Sequence, residues 1–96
     1  MLDTIIHAIT NRRVITFYYD GYHRTVEPHA VGSSLSGNDI LRCYQISGGH
    51  TKSDHDWNIC LLSEIYSLVE TETAFSGERP GYKRQDKGMQ SIYAEL

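Results

Sequence analysis

Ninety-six residues, 40% hydrophobic and 22% charged, suit one small soluble domain with a single core and no room for a separate cofactor fold. A net charge of −3 has the wrong sign for a protein that coats nucleic acid indiscriminately. Two cysteines, Cys43 and Cys60, are too few for a disulfide scaffold, and no run approaches the roughly 18 apolar residues of a membrane span. The expected setting is a reducing cytoplasm, with both thiols buried and free.

Leu2, Ile5, Ile6 and Ile9 recur at i, i+3, i+4 and i+7, which predicts a helix over residues 2–12. Asp3 or Thr4 is the candidate cap, and Ile5, Ile6 and Ile9 are the face to be buried against strand residues such as Phe17 and Leu41. From Val14 to Tyr19 every residue is β-branched or aromatic, and the run stops at Asp20-Gly21, a tight-hairpin signal. A second strand follows from Tyr22 to Val31, with Pro28 marking an edge or a bend. After a loop over residues 32–39 come a third strand at Ile40–Ile46, a polar loop at residues 47–56 and a fourth strand at Trp57–Leu62. A short helical turn at Ser63-Glu64-Ile65 precedes a last strand at Tyr66–Glu70. Short strands with close turns behind one helix imply a small closed barrel.

The tail reads differently. Residues 76–81 break regular structure, and Met89, Ile92, Tyr93 and Leu96 then repeat at helical spacing behind Asp86, predicting a short amphipathic C-terminal helix. The expected organisation is a barrel domain with its N-terminal helix over residues 1–75 and an extension over residues 76–96. Charge is segregated: residues 54–78 carry six carboxylates and no Lys or Arg, whereas residues 79–87 carry Arg79, Lys83, Arg84 and Lys87 against Asp86 alone.

In order and spacing, several landmarks recur together. They are Ala8-Ile9 and Arg12-Arg13, then Arg24-x-Val26-x-Pro28 and Leu41-Arg42-x-Tyr44-Gln45. Gly48-Gly49, Trp57, Leu61-Leu62-Ser63-Glu64-Ile65 and Arg79-Pro80-Gly81-Tyr82 complete the series. In this the chain resembles the WYL domain family, in particular its short stand-alone members. The resemblance implies a small SH3-like or Sm-like β-barrel. It also implies a regulatory module that senses a nucleic acid or nucleotide ligand and acts with a winged-helix regulator or another transcriptional or defence-system partner. Two positions depart from the family. The name-giving tripeptide reads Asp39-Ile40-Leu41, and Glu64 stands where a basic residue of the anion-binding patch is usual.

The ligand-binding candidates are Arg24, Arg42, Tyr44 and Tyr19. A guanidinium offers a donor fork suited to phosphate, alternation puts Arg42 and Tyr44 on one strand face, and hairpin tyrosines can stack on bases. Trp57, opening a strand, reads as a core anchor. His50, His55 and nearby carboxylates have metal-ligand chemistry without a metal-site pattern, so no metal is expected. His23 and His29, on the second strand, carry no stronger signal. Neither a nucleophile signature nor a phosphate loop is present, so neither catalysis nor a cofactor is expected. The leading expectation is therefore an anion-sensing module in which Arg24 and Arg42 hold phosphate. The alternative is a homo-oligomerising or protein-docking module with no ligand, and neither involves a membrane.

Overall fold

The computed structural model describes residues 1–50 and 56–96. Among them, one helix, α1 (Leu2–Asn11), precedes six strands: β1 (Arg13–Tyr19), β2 (Tyr22–Ser34), β3 (Asp39–Gly48), β4 (Trp57–Leu61), β5 (Tyr66–Ala74) and β6 (Met89–Glu95). A single 3-10 turn, Leu62–Glu64, joins β4 to β5. The chain is thus mainly β with an N-terminal helix, and every strand pairing is antiparallel.

The β1–β2 hairpin follows from its turn residues. Asp20 and Gly21 both take positive φ, 52° and 78°, the combination that matches the twist of a two-residue hairpin. β2 is the organising strand. Its first half pairs with β1, its second half pairs with β6 on that same side, and β3 follows its other side throughout. The register slips between Pro28 and Ala30, so the proline marks the bend at which β2 passes from one partner to the other.

Strand order is β4-β3-β2-β1-β5, with β6 attached to β2. Among the described residues this path stays open, with β4 and β5 as its edges, in place of the expected closed barrel.

The C-terminal helix is the clearest correction, because residues 89–95 form β6. Two irregularities in the β2–β6 register, at Gln90 and at Tyr93, each insert one extra residue. Such insertions stretch the two-residue alternation of a strand to a three-residue step. Met89 and Ile92 consequently join a small cluster with Ala30 and Ile40, whereas Ala94 and Leu96 pack on the main core. The helical spacing in the sequence comes from a bulged strand. Close approach also requires Gly32, where a side chain would run into the Ser91 carbonyl.

The main core lies between α1 and the sheet. Ile5, Ala8 and Ile9 meet Ile15, Phe17, Val26, Val31, Leu41, Cys43 and Cys60 there, and all of these are buried. Ile6, expected to be buried, is only half-buried, and Ala8 takes the deeper position. No side chain caps the helix start, where Met1 occupies the N-cap, so neither Asp3 nor Thr4 acts as the cap. No described helix is long and apolar enough to cross a membrane.

Candidate functional site

The second face of the sheet carries a cleft of about 450 Å3. Its walls are Arg42 from β3, Trp57 from β4 and the segment Gly81–Lys87, which crosses the sheet before entering β6. Alternation along β3 turns Ile40, Arg42 and Tyr44 to this face and Leu41 and Cys43 to the core, as the sequence implies.

Among the contacts that hold the 79–88 segment in place, three sets reach it from β2 and β3. Arg42 clamps Asp86 with both arms of its fork, Nε to Oδ2 at 2.8 Å and Nη2 to Oδ1 at 3.3 Å. The Arg42 hydrogen bonds hold the Asp86 carboxyl below its ordinary pKa, and the Gly88 N–H, donated at 2.8 Å, assists against partial burial. Arg79 grips Glu27 in the same bidentate manner, at 2.7 and 3.0 Å, and its guanidinium lies 4.6 Å over the Tyr44 ring.

The third contact set centres on His29, which is fully buried. Its Nε2 accepts the Arg79 backbone N–H at 3.1 Å, so the ring proton sits on Nδ1, which donates to the Glu27 carbonyl at 2.9 Å. Trp57, Phe75 and Tyr82 surround the imidazole at centroid distances of 4.8, 5.9 and 5.0 Å. Burial among these rings lowers the His29 pKa and keeps the ring neutral.

Trp57 and Tyr82 stack at 6.2 Å with their planes 19° apart, and Trp57 Nε1 donates to the Pro80 carbonyl at 3.1 Å. Tyr44 meets Trp57 edge to face at 5.3 Å. The cleft therefore has an aromatic floor. Its rim carries Arg42, Lys83, Arg84 and Lys87 against the single carboxylate of Asp86, an excess of positive charge on a chain that is negative overall. Arg84 bonds Glu95, but Lys83 and Lys87 are exposed and make no ion pair among the described residues.

The structure places two of the four sequence candidates here, with Arg42 on the cleft wall and Tyr44 beside Trp57. It does not bring Arg24 and Arg42 together. Arg24 is 1% exposed and points to the core side of the sheet. There it lies 5.1 Å over the Tyr19 ring and 3.7 Å from the Asp20 carboxylate, against the Cys60 thiol. Its Nε and Nη2 have no hydrogen-bond partner among the described residues. Tyr19 is buried beside it, its hydroxyl accepting the Leu61 N–H at 3.0 Å. Neither Arg24 nor Tyr19 can meet a ligand in the cleft, because the sheet intervenes. Glu64 also lies elsewhere, beside Tyr19 and Tyr66.

Both cysteines are buried and unbridged. Cys43 donates its S–H toward Cys60, which raises the pKa of Cys43 and lowers that of Cys60. His55, one of the metal-ligand candidates, lies outside the described residues, and the described residues hold no group of three or more metal-ligating side chains.

Sequence reading took Trp57 for a core anchor and assigned Tyr82, Lys83 and Lys87 to no site. The available signal was the basic run at residues 79–87, which falls on a segment with no regular structure. No family model, curated protein or solved structure matches the chain.

Proposed function

We propose that the protein is a WYL-like sensing module whose cleft binds a phosphate-bearing ligand of the nucleotide or single-stranded nucleic acid class. It would pass occupancy to a partner protein such as a winged-helix regulator. Its open sheet would be the rolled SH3-like or Sm-like scaffold that the resemblance implies.

The observation that carries this reading is two lysines with no ion pair among the described residues and an arginine fork, all around a stacked Trp57–Tyr82 pair. Lysines supply point charges for phosphate, Arg42 supplies a planar fork, and ring faces and edges accept a base. Asp86 would keep Arg42 positioned in the empty state and yield part of the fork to phosphate.

Fluorescence titration of Trp57 with a nucleoside triphosphate and with a short oligothymidylate tests the reading. The expected result is saturable quenching that weakens as salt is raised, since phosphate contacts release counterions. A Lys83→Ala/Lys87→Ala variant should flatten that salt dependence and weaken binding about tenfold, on the scale of one to two lost charge-assisted contacts. Quenching that neither probe produces, or that the double variant retains in full, would refute the proposal.

A further inference from the structure

β5 is an edge of the sheet. It pairs with β1 on one side, and among the described residues no strand pairs with the other. A free edge is a row of backbone donors and acceptors that another extended chain can complete. Six of its nine residues are exposed, including Tyr66 at 68% and Val69 at 54%.

The start of β5 borders a second cleft, of about 470 Å3, walled by Tyr18, Tyr19 and Tyr66 and edged by Asp20 and Glu64. Tyr18 and Tyr66 sit opposite one another across the β1–β5 register. Along the strand itself stand Glu70 and Glu72, with no Lys or Arg between residues 66 and 74. Glu70 bonds His7 and Asp20 faces Arg24, but Glu64 and Glu72 make no ion pair among the described residues.

This charge pattern selects the occupant. A second copy pairing β5 with β5 in antiparallel fashion would set the Glu70–Glu72 stretch against itself, and like charges on facing positions are destabilising. The other strands with an unpaired side among the described residues, β4 and β6, offer no Lys or Arg to answer those glutamates. An extended segment bearing Lys or Arg satisfies all three features. Its backbone completes the edge, its charges meet Glu64 and Glu72, and one cationic side chain lies among tyrosine rings, whose faces attract cations. We infer that the β5 edge docks an extended basic segment of a partner protein as an added strand, with a Lys or Arg side chain in the tyrosine cleft.

The test uses the full chain, isotope-labelled for amide NMR. Two capped octapeptides serve as probes, one alternating Lys with Val and the other Glu with Val. The basic probe should shift and protect amides of residues 64–74, with an affinity that falls as salt is added, and the acidic probe should leave them unmoved. A Glu64→Lys/Glu72→Lys variant should bind the basic probe at least about tenfold more weakly and acquire binding of the acidic one. That gain cannot come from unfolding, so it separates lost charge from lost structure. Basic-probe shifts confined to the 81–87 cleft, affinity unchanged in the double variant, or β5-mediated self-association without peptide would each overturn the proposal.

Discussion

Arg24 and Arg42 stand on neighbouring strands and look alike in the sequence, yet the fold gives them opposite lives. Arg24 lies in the interior with an aromatic ring, a thiol and, 3.7 Å away, a carboxylate, and two of its nitrogens lack hydrogen bonds among the described residues. Arg42 lies on the other face, 29% exposed, its fork matched to Asp86 on the rim of a cleft. A guanidinium is a ligand-binding group only where it can exchange its partner. Arg42 can hand part of its fork from carboxylate to phosphate, whereas Arg24 would have to open the core.

Replacing Arg24 probes this contrast with the largest expected effect. Arg24→Ala should cost about 2–5 kcal/mol, as large core truncations do. Arg24→Met, which keeps the volume and removes a poorly compensated charge, should come out neutral or more stable. Chemical denaturation of the two variants decides it, and an Arg24→Met protein as unstable as Arg24→Ala would show that the interior charge is needed. Next in size is Gly32→Ala, whose added methyl strikes the Ser91 carbonyl and should cost about 1–3 kcal/mol. Because β6 follows the 81–87 segment, its loosening should also weaken phosphate binding, which Trp57 fluorescence would report.

Arg42→Ala should lower stability by only about 1–2 kcal/mol, the scale of a charged hydrogen-bonded pair, while weakening phosphate binding about tenfold. Equal losses of binding from Arg24→Met and Arg42→Ala would erase the distinction between the two faces. A smaller effect follows from His29, whose folded pKa is lowered by burial from 6.5. Its neutral form is the one that accepts the Arg79 N–H, so this contribution is complete above about pH 6.5, the unfolded pKa. It is lost as pH falls from there toward the folded pKa, by up to about 1.4 kcal/mol per pH unit. Asp86 acts in a separate window, because its folded pKa is lowered from 3.8 and its contribution fades only as pH falls below that value. Melting temperature should therefore begin to drop between pH 7 and 6, and His29→Gln should remove that early drop. Smallest of all, Glu64→Arg should leave phosphate affinity within about twofold, since Glu64 borders the tyrosine cleft and is not among the residues that line the cleft of Arg42, Lys83 and Lys87.

What the sequence determined by itself is local. The stripe of α1, the aromatic run of β1, the Asp20-Gly21 turn and the bend at Pro28 all rest on residues within a few positions of one another, whose steric preferences act before any tertiary contact. The pairing of Arg42 with Tyr44 on one face has the same origin, because alternation is a property of an extended chain. Which face met the core was settled only by tertiary structure, and so was the fate of Arg24. The same holds for β6, where helical spacing gave way to a bulged strand because β2 beyond its bend offered an unpaired edge. The cleft is the extreme case. Trp57 and Lys83 are separated by 25 intervening residues, and they share a wall because Arg42, Glu27 and His29 bind the irregular segment between β5 and β6. Local preference cannot encode such a contact, since it depends on which distant backbone and side-chain groups the folded sheet leaves unsatisfied.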